Sequence, residues 1–310
     1  MVKVAVAGGS DSIGKAIVQA IEKDASHEVI ILSRQRRAED PNVVTIDFLD
    51  IDSLQSVLET HEVHTVISAV SLQSEASGQS QMNLIDAASR SRCTRRFMPS
   101  EFGANYKPEH LAALPLYAWK FKAADRLETA GLEYTRLSNG MFMDYWFASR
   151  IPSAFRVNAS NWIDLDNHYA VIPGDGRTPF VLTHSRDVAR FVVAVLGLPR
   201  WEKRYYLIGD RLTMNDFVRI AEKTSGHSFE KHSDGVDELL SGRCTLVPAA
   251  RKMTESMPDP ALLVGMVAGA GAMVAQGGMD LPDEPSLNKL FPSLKTLTVQ
   301  EALQIYYAKL

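Results

Sequence analysis

The feature that most constrains this chain lies at its very start. Lys3 to Ala7 (K-V-A-V-A) reads as a short buried strand. Gly8 to Gly14 (G-G-S-D-S-I-G) follow at once, and Ile13, Ile17 and Ile21 then recur at helical spacing. Strand, glycine turn and helix in that order open a parallel α/β sheet. They gather free backbone N–H groups and the positive end of a helix dipole at one point, where a dinucleotide pyrophosphate fits. Gly8 and Gly14 occupy the first and third glycine positions of the nucleotide fingerprint, and Asp11 stands at the middle one. A carboxylate there repels phosphate unless it points away. Asp11 is therefore expected to turn outward, leaving the backbone of Gly9, Ser10, Ser12 and Ile13 to hold the pyrophosphate.

The second apolar run, Glu28 to Ser33, ends on Arg34, with Arg36 and Arg37 close behind and no acid before Glu39. An acidic residue at this strand end suits the ribose hydroxyls of NAD, whereas arginine suits the 2′-phosphate of NADP. Guanidinium forks match phosphate oxygens in pairs, so Arg34 and Arg37 argue for NADPH.

Strand and helix patterns then alternate, as in a doubly wound parallel sheet. Strand 43–47 leads to a helix over 50–60 with Asp52 or Ser53 as its cap. Strand 64–69 leads to helix 79–90, strand 95–99 to helix 117–130, and strand 134–138 closes the series. From about residue 151, Pro152, Pro173, Gly174, Gly176 and Pro179 break the alternation. Helix 186–198, with Asp187 as its cap, and strand 204–208 look like returns to the first sheet. The division expected is a dinucleotide-binding unit over 1–151 and 183–209, with a smaller α+β substrate-binding unit over 152–182 and 210–310. Thr298, with Glu301 three residues later, caps a closing helix.

Bulk properties exclude several classes. A net charge of −4 gives no broad basic face for nucleic acid. The apolar run 261–275 is too short to cross a bilayer, which needs roughly 20 residues, and reads as a buried helix or pocket wall. Cys93 and Cys244 make no disulfide framework and fit a reducing compartment. His61 and His64 lack a third ligand, so no metal is expected. The chain begins directly in a strand, without a secretory signal, and cytoplasm is the expected location. The last residues, Ala308-Lys309-Leu310, are a variant of a peroxisomal import tripeptide and keep that compartment open.

Further stretches occur in a telling order. They are V-A-G-G-S-D-S-I-G at 6–14, Arg34, R-R-F-M-P-S-E-F-G at 95–103, and Lys120 ahead of L-E-T-A-G-L-E-Y-T at 127–135. S-N-G-M-F-M-D-Y-W at 138–146, P-G-D-G at 173–176, T-H-S-R-D-V-A at 183–189, G-D-R-L-T at 209–213 and N-K-L-F-P at 288–292 follow. With these the chain resembles the atypical short-chain reductases of the isoflavone reductase and NmrA-like group, and the D-Y-W continuation is similar to fungal members. The resemblance covers nearly the whole chain. It implies a Rossmann domain, a smaller substrate domain and a preference for NADPH.

The cofactor set expected on this pattern is Gly8 to Gly14, Arg34, Arg37, Asp47, Phe48, Ser68, Ala69, Val70, Ser100, Glu101, Lys120 and Asn139. Lys120 is the catalytic candidate. It lies in the second turn of helix 117–130, near the carboxyl edge of the sheet. There it would anchor the nicotinamide ribose and, partly desolvated, relay a proton. Lys122 is its rival on another helix face, and the resemblance alone favours Lys120. Ordinary short-chain dehydrogenases carry tyrosine four residues before the lysine. Here that position is Leu116, and Tyr117 follows it.

Phe102, Met141, Phe142, Tyr145, Trp146 and His184 are the expected substrate contacts. Their apolar wall suits a planar aromatic or conjugated molecule. The leading expectation is an NADPH-dependent reductase of such a molecule (quinone-like, enone or benzylic ether), as a monomer or homodimer. Two alternatives stay open: an NADP-sensing regulator without turnover, and a non-redox isomerase that retains the cofactor.

Overall fold

The computed structural model describes residues 1–35, 40–112, 114–155 and 161–308. Arg37, Lys309 and Leu310 lie outside the described residues. The chain opens with β1 (Lys3–Ala7), α1 (Ser12–Asp24), β2 (Glu28–Ser33), β3 (Val43–Thr45), α2 (Ile51–Thr60) and β4 (Thr65–Ser68). It continues with α3 (Glu75–Arg90), β5 (Arg96–Met98), α4 (Ala118–Glu128), β6 (Glu133–Tyr134) and β7 (Arg136–Ser138).

The principal sheet has the order β3-β2-β1-β4-β5-β6, and every pairing in it is parallel. Strand order out from β1 reverses between β1 and β4, which leaves a crevice beyond their carboxyl ends. The alternation of side chains across the strands explains why both faces are covered. Val4, Val6, Ile31, Ile67 and Met98 join one core with Ile13, Ile17 and Ile21 of α1. Ala5, Ala7, Ile30, Leu32, Val66 and Phe97 join another with Leu54 and Leu58 of α2 and Leu84 of α3.

The strand expected over 134–138 is two strands. Thr135 N–H still donates to Phe97 O on β5 (3.2 Å), but Arg136 N–H donates to Lys203 O (3.1 Å). The chain changes partner at that residue. β7 then pairs in parallel with the strand Arg204–Tyr206 rather than with β5.

The remaining elements are β8 (Met141–Phe142), α5 (Asp144–Phe147), β9 (Ile163–Asp164), β10 (Tyr169–Pro173), β11 (Pro179–Thr183), α6 (Ser185–Leu196), β12 (Arg204–Tyr206) and β13 (Asp210–Thr213). After them come α7 (Met214–Ser225), β14 (Glu230–Asp234), α8 (Val236–Leu240), α9 (Pro248–Thr254), α10 (Pro260–Ala275), α11 (Leu287–Leu290) and α12 (Val299–Tyr307). Two small sheets, β14-β10-β9 and β13-β11-β8, stand beside the principal one. A third core joins Trp146, Trp162, Phe180, Phe217 and Tyr306. α6 packs back along α1, whose isoleucine stripe meets Val188, Val192 and Val195.

Several caps differ from expectation. Asp50, not Asp52 or Ser53, caps α2 by accepting from Ser53 N–H at 2.9 Å. α3 begins four residues early, because Ser74 and Ser77 form a capping box. His184 caps α6, its Nδ1 accepting from Arg186 N–H at 3.2 Å. Asp187 instead holds Leu297 N–H at 2.8 Å and pairs with Arg190 at 2.5 Å. Thr298 and Glu301 form the expected capping box on α12. The apolar run 261–275 lies within α10. Its last turns are buried, while Leu262 and Met266 near its start are exposed.

Candidate active site

The crevice beyond β1 and β4 is built by close backbone approach. Ala7 pairs with Ser68 in the register, and Ala69 N–H donates to Ala7 O at 2.8 Å. Gly8 has φ of +78°, and a Cβ on it would sit 2.7 Å from Ala69 O. A Cβ on Gly14 would collide with Gly8 O. Neither position tolerates a side chain, so the loop stays tight and its N–H groups stay near the start of α1.

Asp11 is exposed, as an outward pose requires, yet it also caps α1. Its Oδ1 accepts from Ser12 N–H at 2.8 Å. One of the four N–H groups expected to hold a pyrophosphate is thus engaged by the protein's own carboxylate. Ser10 Oγ and Ser68 Oγ are buried and have no hydrogen-bond partner among the described residues. Arg34 is exposed just past β2, free of an acidic neighbour in the sequence. Asp47 is exposed and turns back to accept from Leu49 N–H at 2.9 Å, while buried Phe48 is held through its carbonyl by Asn83 Nδ2 at 2.9 Å.

The segment 99–103 (P-S-E-F-G) is pinned from three sides. Ser100 N–H donates to Gln81 Oε1 at 2.7 Å, and Ser100 Oγ donates to Val70 O at 2.8 Å. Gly103 O accepts from Asn139 N–H at 2.9 Å. Glu101 is buried, and its carboxylate lies 3.4 Å from Arg204 on β12, which also donates to Ser138 Oγ at 2.6 Å.

Lys120 joins this assembly from α4. It is 9% exposed. Its Nζ donates to Ser100 O at 3.4 Å and to Glu101 O. Burial pulls its pKa down to about 8; the Glu101 carboxylate opposes that pull and Arg204 adds to it. Lys122 is exposed, its ammonium 3.8 Å from the centre of the Trp119 ring. The structure therefore separates the two lysines by environment. Asn139 is wholly buried; its Nδ2 donates to Gly140 O at 3.3 Å, while its Oδ1 has no partner among the described residues.

The expected aromatic wall divides. Phe142 and Tyr145 pack with Phe155, at ring-centroid distances of 4.9 and 5.7 Å. Phe102 is half-buried beside the same core, and Met141 is buried in the neighbouring one. Trp146 lies deep in the third core, 6.4 Å from Trp162 and 5.5 Å from Phe217. His184 is a buried helix cap whose Nε2 stands 3.7 Å from Asp144. Gln81, Arg204, Ser138 and Tyr106 were not singled out in the sequence. Ser138 opens the 138–146 stretch without being singled out in it, and no motif marks Gln81, Arg204 or Tyr106, which reach the site from a distant helix, strand and loop.

A model of the NmrA-like family matches residues 2–257. The chain belongs to the NmrA-like family. Oxidoreductase BOA1 of Botryotinia fuckeliana is 40% identical to this NmrA-like protein over 234 residues, covering 74% of this chain and 78% of that one. Leucoanthocyanidin reductase from Vitis vinifera, solved as a ternary complex, superposes with a TM-score of 0.74 at 20% identity over 99% of both chains. AtPrR2, solved with NADP+ and (+)-pinoresinol, gives 0.73 at 22% identity over 98% of both. At such identities these structures establish the shared fold.

Proposed function

We propose that this NmrA-like protein is an NADPH-dependent reductase of a small aromatic or conjugated molecule. The observation that carries the proposal is Lys120: a lysine buried at the carboxyl edge of the sheet, tied to the carbonyls of Ser100 and Glu101 and set near neutral ionisation. The oxidoreductase name of the BOA1 relative supports it, as do the ligands in the AtPrR2 structure.

The residues present fit a nicotinamide dinucleotide. The Gly8–Gly14 turn is held tight, because a Cβ on Gly8 or Gly14 would collide with the backbone of Ala69 or Gly8, and Ser10 and Ser68 offer hydroxyls there that have no hydrogen-bond partner among the described residues. Arg34 stands where a 2′-phosphate would be read. Asn139 Oδ1, buried and without a donor among the described residues, suits the carboxamide of a nicotinamide. NADPH, when bound, supplies a hydride to an electrophilic carbon. Lys120 keeps one N–H beyond the two it gives to carbonyls. It uses that donor to orient a ribose hydroxyl and to hold the proton that balances the hydride. Phe102, Met141, Phe142 and Tyr145 exclude water on the apolar side of the cleft.

The test is consumption of NADPH, and separately NADH, with a panel of quinones, enones and benzylic ethers that includes pinoresinol. Turnover with NADPH that collapses in Lys120→Ala supports the proposal. Tight NADPH binding without consumption across the panel would move the assignment to a dinucleotide sensor.

A further inference from the structure

Tyr106 and Tyr117 meet at Lys120. Their rings lie edge to face, with centroids 4.5 Å apart and planes at 73°. The Lys120 ammonium sits in the corner they form, 4.7 Å from the centre of the Tyr106 ring and 5.3 Å from that of Tyr117. Both distances fall within the range of a cation–π contact. Gly103 makes the room, since a Cβ there would collide with the Tyr106 hydroxyl. Burial holds both phenols protonated. Tyr106 is 9% exposed and belongs to the third core, against which Tyr117 also packs.

We propose that Tyr106 and Tyr117 are positioning residues whose ring faces cage the Lys120 ammonium and hold it, charged, at the 99–103 segment. The proposal rests on the reductase reading only for its purpose, not for its geometry. The groups facing the ammonium are the Glu101 carboxylate and the Ser100 and Glu101 carbonyls from the 99–103 segment, Arg204 from β12, and the two rings. Burial and Arg204 work against the charge; among the described residues Glu101 is the opposing carboxylate, and it is shared with Arg204. The ring quadrupoles supply attraction that the carboxylate divides between two cations. They also close the corner against water, which fixes the direction of the remaining N–H. The ring face is what acts here, so phenylalanine should replace either tyrosine and leucine should not.

The experiment is a carbon-13 NMR titration of the lysine side chains in the cofactor-free full-length protein, with the Lys120 signal assigned by its loss in Lys120→Met. In Tyr106→Leu the Lys120 midpoint should fall by about one pH unit. In Tyr106→Phe it should stay within a few tenths of the wild type. Tyr117→Leu and Tyr117→Phe repeat the comparison from another segment and carry the test if a Tyr106 variant does not fold. Equal midpoints in the leucine and phenylalanine variants, or a rise in the leucine ones, would overturn the cage. The titration needs no substrate. Turnover with unmoved midpoints therefore refutes the cage alone, and moved midpoints without turnover refute the reductase reading alone.

Discussion

Replacing Lys120 by methionine should change how stability depends on pH, and the size of the change follows from the site. A buried lysine whose pKa is lowered to about 8 takes up protons less readily when folded than when unfolded. Between the folded value and the ordinary lysine value near 10.4, the unfolded chain binds more protons. Unfolding free energy therefore rises with pH in that window: the cost of burying the charge is fully present below about pH 8 and vanishes above about 10.5. At about 1.4 kcal/mol for each pH unit between the two values, the full cost is about 3 kcal/mol, most of which is relieved between pH 7 and pH 10. Lys120→Met has no such group. Urea unfolding of both proteins across this range should show wild type gaining on the variant by about that amount. Urea is uncharged and leaves the electrostatics in place, and the other titrating groups cancel in the difference. Two curves that stay parallel from pH 7 to pH 10 would refute the reasoning and place Lys120 in contact with water.

Arg34→Ala should weaken NADPH binding by about 1–3 kcal/mol while sparing NADH, measured by cofactor fluorescence; equal losses would refute a 2′-phosphate contact. Asp11→Asn keeps a cap on Ser12 N–H but removes the charge beside the phosphate seat, so calorimetry should record tighter NADPH by about 0.5–1 kcal/mol, against no change if the carboxylate is screened. Glu101→Gln leaves Arg204 buried beside a neutral amide and should cost about 3–5 kcal/mol in urea unfolding; a loss under about 1 kcal/mol would mean the pair is solvated.

Elements set by local pattern were legible early. β1, the glycine turn and the isoleucine stripe of α1 sit where periodicity places them, and so does the parallel sheet that follows. The family motifs picked Lys120 over Lys122; Lys120 is buried and Lys122 is exposed. What the sequence hid depends on distant partners. Nothing in Tyr134 to Ser138 reveals that Thr135 still bonds β5 while Arg136 bonds Lys203, because the switch is made by a strand some 70 residues on. Trp146 sits in an aromatic run that reads equally well as a cleft wall or a core; only Trp162 and Phe217 decide it. His184 precedes Asp187, a commoner cap, yet Leu297 and Arg190 claim that carboxylate. Arg204 and Tyr106 carry no motif, and their roles arise from the shape around Glu101 and Lys120.

The most direct test of hydride transfer is a single turnover with NADPH deuterated at the nicotinamide C4, carried out with the panel substrate that consumes cofactor fastest. Mass spectrometry of the product should find one deuterium on the reduced carbon, from one face of the ring only, and Lys120→Ala should lose the signal while still binding NADPH. Product formed without deuterium from either face, with the cofactor recovered intact, would contradict the reductase account and leave the bound dinucleotide without a redox role.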